Sequence, residues 1–182
     1  MEIFTAFGLS ASSGLNAYIP LLVVAILARF TDLINLQHPW DTLTSWVVIV
    51  LLIILAAVEF FADKIPGVNH ANDLIHTFIR PVAGAIVFAA STSEIAHVHP
   101  VLAMCAGLII AGGVHAAKTL VVRPAVSVAT GGAAHPVVSF VEDIGATVLS
   151  VLAIIVPVIV GGVLIIGVVF YLRRLFSPES KA

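Results

Sequence analysis

Five carboxylates and four bases stand in or beside stretches that are otherwise apolar: Glu59, Asp63, Asp73, Glu142 and Asp143 against Lys64, Arg80, Lys118 and Arg123. A charge held at membrane depth costs roughly 2.5–3.5 kcal/mol on insertion scales, so such groups need partners or a hydrated cavity. Their spacing restricts where they can meet. Glu59 and Asp63 are four apart and share one helical face, while Asp73, His76, Thr77 and Arg80 fall on one stripe. His115 and Lys118 share another stripe, and Glu142 stands beside a stripe of Asp143, Thr147 and Ser150. The pattern predicts that these faces converge on a polar chamber open to the cytoplasm, with Arg80 paired to Glu142 or Asp143 and Lys118 to Glu59 or Asp63. The competing reading makes the same residues structural ion pairs that fix helix register.

Other residues add to this set. In "GLSASSGLNAYIP" (8–20), Gly8, Ser12 and their small neighbours suit close helix packing. Gly14 and Pro20 could instead open the backbone beside Asn16, freeing groups that bind a solute or ion. Pro81 and Gly113 extend this backbone-opening set to two further spans. His70, Asp73 and His76 are spaced three apart and form a weak candidate metal site; the other histidines are scattered, so no metal or other cofactor is expected. No Ser-His-Asp constellation, G-x-S-x-G elbow, H-E-x-x-H helix or P-loop is present. An enzyme would have to use His115 with Glu142, and the expectation leans away from one. The single cysteine, Cys105, is read as packing.

The elements that must position these residues are membrane helices. Of 182 residues 60% are hydrophobic and 10% charged, against about 25% charged in an average soluble domain. A net charge of −2 offers no basic field for nucleic acid. The expected fold class is an all-α polytopic transmembrane bundle of about six spans, at 3–29, 44–63, 72–91, 100–122, 137–155 and 158–173. The third and fifth have short apolar parts and are expected to be short or re-entrant. Residues 1–176 form one membrane domain, followed by a cytoplasmic tail at 177–182. The start lacks the basic region of a signal peptide and is read as a retained helix.

Seven of the eight Lys and Arg residues then lie on or near one side, with only Arg29 near the other, which predicts both termini in the cytoplasm. Pro157 and Gly161-Gly162 are expected to make a tight outer turn into the last span. "GLSASSGLNA" (8–17) and "GLIIAGGVHA" (107–116) share G-L-x4-G-[LV]-[NH]-A, which predicts a partial inverted repeat of the first and fourth helices with Asn16 and His115 at similar depth.

The motifs "GLNAYIPLL" (14–22), "EFFADKIPGV" (59–68), "IRPVAGA" (79–85), "HAAK" (115–118) and "VEDI" (141–144) together resemble the bacterial domain-of-unknown-function 4126 family, over nearly the whole chain. The resemblance implies a small multi-pass protein of the bacterial cytoplasmic (inner) membrane, and no particular activity. The family pattern falls on Gly14, Asn16, Ala17, Pro20, Glu59, Asp63, Lys64, Pro66, Gly67, Asp73, Arg80, Pro81, His115, Lys118, Glu142 and Asp143. His70 and His76 lie outside it, and "VRPAVSVATGGAAHP" (122–136) stands where the family has a more polar loop.

The function expected from these residues is transport of a small solute or ion. Asn16 and His115 would meet it near midplane, and Glu59, Asp63, Asp73, Arg80, Lys118, Glu142 and Asp143 would line its pathway. The alternative is a non-transporting scaffold or accessory subunit that binds a partner through the 63–73 loop. Expected partners are the lipid bilayer, the unknown solute and a second copy in a homodimer, since six short helices enclose little volume.

Overall fold

The computed structural model describes residues 2–65, 68–93, 95 and 98–176, without the side chains of 68–71, 158–165 and 167–176. Helices dominate: α1 (Glu2–Leu15), α2 (Tyr18–Phe30), α3 (Trp46–Ala62), α4 (Val68–Ser91), α5 (Pro100–Ala117), α6 (Arg123–Thr130) and α7 (His135–Phe176). A 3-10 turn at Trp40–Thr44 precedes α3, and a π-helical turn at Lys118–Val122 joins α5 to α6. Among the described residues, three stretches are long and apolar enough to cross a membrane: Asn72–Ser91, Pro100–Thr130 and His135–Pro157. Tyr18–Phe30 and Trp46–Ala62 are shorter apolar helices. The helical-bundle expectation therefore holds.

Local chemistry sets several boundaries. Ser45 caps α3 by accepting from the Val48 amide, and His99 caps α5 just before Pro100. Gly131 ends α6 at φ 61°, a left-handed conformation that glycine adopts without steric cost. At the α4–α5 crossing, a Cβ on Gly84 would collide with the Ala111 side chain and one on Gly107 with the Gly84 carbonyl. Only hydrogen at both positions lets the two backbones approach this closely.

The first apolar stretch does not run through the bundle. It is a hairpin of two half-length helices that breaks at Asn16-Ala17. The direction of each arm follows from its partners. Along α1, Phe7 packs on Phe88 and Ser10 donates to the Gly84 carbonyl, so the chain descends beside α4 from the Ser91 end. Ala17 then meets Glu59, and α2 climbs back with Leu21, Val24 and Ala25 in one core with Ile49, Leu52, Ala83 and Val87. Phe30 finally packs on Trp46 at the first residue of α3. Both arms thus end near the α3 start and the α4 end, and the 14-residue α1, about 21 Å long, is shorter than a hydrocarbon layer of about 30 Å.

Several expectations change with this hairpin. The re-entrant element is the first segment; the third, expected to be short or re-entrant, lies within a 24-residue helix that continues through Pro81. The fifth and sixth expected spans form one 42-residue helix, α7, that continues through Pro157, so the turn at Pro157 and Gly161-Gly162 is not made. A proline lacks only one amide, and the rest of the helical ladder can persist on either side of it. Without that turn, Arg173 and Arg174 are not returned toward the charged end. The start of α1 also lies at the opposite end from the α3–α4 turn, which corrects the expectation that the N-terminus and that charged turn share a membrane face. Residues 177–182 lie outside the described residues.

The inverted repeat is corrected for the same reason. Gly14 abuts Ala111 and Val114 of α5, and Leu15 receives a hydrogen bond from Lys118, so α1 and α5 run in the same direction. Cys105 is exposed on the outside of α5 rather than packed.

α1 is the central element, packed by α4, α5 and α7. Its buried face is made of small residues: Ala6, Ser10, Ser12, Ser13 and Gly14, with Leu9. Ser12 donates to the Ala146 carbonyl at 2.7 Å and lies 2.8 Å from the Ser150 hydroxyl, and Thr5 donates to the Ala153 carbonyl at 2.8 Å. These bonds fix α1 antiparallel to α7 where hydrocarbon offers no competing partner.

Candidate functional site

The tip of the hairpin exposes the ends of two helices, whose backbone groups lack intrahelical partners. Each end is met by a side chain of suitable sign. The Asn16 carboxamide oxygen accepts from the Tyr18 and Ile19 amides at 3.1 and 3.0 Å and so caps α2. The Ala17 amide donates to the Glu59 carboxylate at 3.2 Å, which places an anion at the positive end of the α2 dipole. At the C-terminal end of α1, the Leu15 carbonyl accepts from the Lys118 ammonium at 3.4 Å. The Asn16 amide nitrogen reaches across to Asp143 at 3.0 Å. Glycine and proline do not make this break. Gly14 lies inside α1 and permits close approach to α5, Pro20 occupies the first turn of α2, and Gly113 is exposed within an unbroken α5.

Around the tip the charged residues form one continuous network. Arg80 is fully buried and donates from Nε and Nη2 to Glu59 Oε1 at 3.2 and 2.9 Å. Its Nη2 also lies 3.5 Å from Asp63. Lys118 sits 2.8 Å from Glu142 and 3.8 Å from Asp63. Arg123 extends the network toward the charged end: it lies 3.0 Å from Asp73 and 3.6 Å from both Asp63 and Glu142, and it donates to Ser139. At the rim, Lys64 pairs with Asp143 at 2.9 Å and lies over the Phe60 ring.

The predicted residues therefore converge, with different pairings. Arg80 reaches Glu59 and Asp63, not Glu142 or Asp143, because the α1–α2 tip stands between Arg80 and α7. Lys118 takes Glu142 as its nearest acid, and Asp63 only at longer range. Two residues outside the predicted pathway set hold it together. Arg123 touches three of the five acids, and Asn72 donates to Asp63 at 2.7 Å. A sequence signal existed for Asn72, because Asn72, His76 and Arg80 repeat every four residues on one face of α4. Arg123 lies in the segment that departs from the family pattern, and its basic charge beside Pro124 was its only mark.

The histidines are constrained by what their partners can do. Arg80 Nη1 lies 3.1 Å from His115 Nδ1, and arginine only donates, so Nδ1 is the acceptor. His115 therefore carries its single proton on Nε2, facing Thr77 Oγ1 at 3.2 Å, and the Thr77 hydroxyl donates a hydrogen bond to the Asp73 carbonyl. His115 and Glu142 do not meet, since Glu142 is taken by Lys118 and Arg123. Among the described residues no group of three or more His, Cys, Asp or Glu is arranged to hold a metal. Asp73 is committed to Arg123 and His76 faces Glu59, while the His70 side chain lies outside the described residues.

Two cavities border the network. One of about 450 Å³ is lined by Asp73, Thr119, Arg123, Pro124, Ser127, Val128 and His135. The other, about 530 Å³, lies between α5 and α7 and is lined mostly by valines, Leu15 and Gly145, with Lys118 and Glu142 at its edge. Asn16 and His115 line neither cavity.

This is a membrane-type helical protein with a re-entrant tip seated in buried charge. No curated protein and no solved structure matches the chain. A family model matches residues 3–176, nearly the whole chain, and the protein belongs to the family described as Domain of unknown function (DUF4126).

Proposed function

We propose that the protein is a small-solute or ion transporter of the bacterial inner membrane and that the conformation described is its closed state. The observation that supports this reading is the hairpin tip: two half-helix ends buried at membrane depth, facing Glu59, Lys118 and Asn16. Irregular backbone is tolerated at that depth only where protein covers it or water reaches it. Paired half-helices of this kind are how transporters present backbone dipoles to a passing solute. The 450 Å³ cavity at the charged end is lined by both members of the Asp73–Arg123 pair. A solute entering there would first meet Arg123 and Asp73, then Asp63, Lys118 and Arg80, and last the tip.

The charged end faces the cytoplasm in this reading, because Lys64, Arg80, Lys118 and Arg123 gather there. The start of α1 then lies at the other face. The scaffold alternative rests on the 63–73 loop, where side chains 66–71 lie outside the described residues.

The test is flux into liposomes that contain purified protein, over a panel of monovalent cations, anions and small polar solutes. Flux that is lost in Glu59→Gln, with the variant still monodisperse, is the expected result. Folded wild-type protein that passes none of the panel above protein-free vesicles removes the reading.

A further inference from the structure

The charges around the tip do not balance. Among the described side chains, Glu59, Asp63, Asp73, Glu142 and Asp143 pair with Lys64, Arg80, Lys118 and Arg123, which leaves an excess of one negative charge while the histidines beside them are neutral. An uncompensated charge at this depth is costly. His115 cannot supply the missing proton while it accepts from Arg80 through Nδ1. Asp73 Oδ1 is buried with no hydrogen-bond partner among the described residues, so a proton there would have no acceptor among them.

One place remains. His76 Nδ1 lies 2.8 Å from the Asn72 carbonyl, which can only accept, so Nδ1 carries a hydrogen. Nε2 of the same ring is buried and faces Glu59 Oε1 at 3.3 Å. Without a proton on Nε2, its lone pair would lie against a carboxylate oxygen that already accepts from Arg80 Nε and Nη2, in a buried space. A single proton between them removes that repulsion and neutralises the network. We propose that His76 and Glu59 form a proton-binding site, and that its occupancy locks the hairpin tip.

The locking follows from what else Glu59 holds. The same carboxylate accepts from the Ala17 amide at the start of α2 and from Arg80. Loss of the proton restores the excess negative charge and sets the Nε2 lone pair against Glu59 Oε1, so His76 repels the carboxylate instead of holding it where it reaches the Ala17 amide. The groups that face the pair are Tyr18 on α2, Asp63 at the C-cap of α3, Arg80 on α4 and His115 on α5. From the π-helical turn and α6, Lys118 and Arg123 act through Asp63. As the identity of a coupling ion, the proton rests on the transport reading; as a binding site it does not.

The test uses the full-length protein in lipid nanodiscs at a series of pH values. Nitrogen-15 NMR of the histidine rings, assigned with His76→Gln, reports whether His76 holds two protons. Infrared difference spectra against Glu59→Gln report a protonated carboxyl. Hydrogen–deuterium exchange at residues 15–20, corrected for the intrinsic pH dependence of exchange, reports opening of the tip. The expected result is one shared proton in the closed protein and exchange that rises about ten-fold per pH unit once that proton leaves, the slope for a single linked proton. The sign is fixed: the proton is bound closed and lost open, so locking is present at low pH and disappears as pH rises. Glu59→Gln, which has no carboxylate to share a proton with His76, should flatten the dependence. A singly protonated His76 beside an ionised Glu59 in the closed protein overturns the proposal, and so does wild-type exchange with no pH dependence. A proton found at the pair together with absent flux removes the transport reading and leaves the site standing.

Discussion

The two ends of the α1–α2 hairpin are held by different forces. Along its stem, α1 is bound through small side chains and serine-to-carbonyl hydrogen bonds, with Ser10 on Gly84 and Ser12 on Ala146. At its tip the same chain is bound by ions: Glu59 on the Ala17 amide, Lys118 on the Leu15 carbonyl and Asp143 on Asn16. Stem contacts are short-ranged and change little with conditions. Tip contacts are long-ranged, sensitive to a single proton, and reversible if water enters. The comparison suggests a fixed stem that carries a tip able to respond to charge.

The largest expected effect is at the tip. Arg80→Gln leaves Glu59 and Asp63 buried without their shared cation, and breaking one partner of a buried pair costs about 3–5 kcal/mol. Detergent unfolding should show that loss, and an unchanged midpoint would mean that the network does not hold the tip. Next comes the helix crossing that supports the stem. Gly84→Leu forces α4 away from α5 and should lower stability by about 1–3 kcal/mol or more through overpacking. A variant as stable as wild type would show that the two backbones do not need to touch.

Charge reversal sharpens the tip further. Lys118→Glu and Glu142→Lys should each reduce folded yield, and the double reversal should recover about 0.5–3 kcal/mol of coupling. Simple additivity of the two losses would mean that this pair does not interact. At the stem, Ser12→Ala should cost only about 0.6 kcal/mol, the average for a polar contact between membrane helices. Cys105→Ala, on the exposed side of α5, should fall within about 0.5 kcal/mol of wild type.

Membership of the site was readable because ionisable residues in an apolar chain are expensive and therefore few. Asp73, His76, Thr77 and Arg80 were assigned to one stripe by helical spacing, and in the structure all four side chains reach the network. Their partners were not readable. Arg80 could have met any of several acids of equal charge, and the choice depended on which helix the hairpin tip displaced. The hairpin itself left a faint trace: the 3–29 stretch is longer than the roughly 20 residues a span needs, and Asn16 followed by Pro20 has the form of a helix start. Apolar content alone reads as one crossing, because a half-length helix and a full one have the same composition.

What the sequence determined by itself was the solvent and the class of structure. With 60% hydrophobic residues and long apolar runs, only backbone-satisfied helices can persist in a bilayer. Tertiary structure decided direction and pairing. A chain reverses at Asn16-Ala17 only if the freed helix ends find partners, and those partners, Glu59 and Lys118, lie 42 residues after Ala17 and 103 after Leu15. No local rule carries information over that distance; the packed bundle does, by bringing two opposite charges to the two ends of one break.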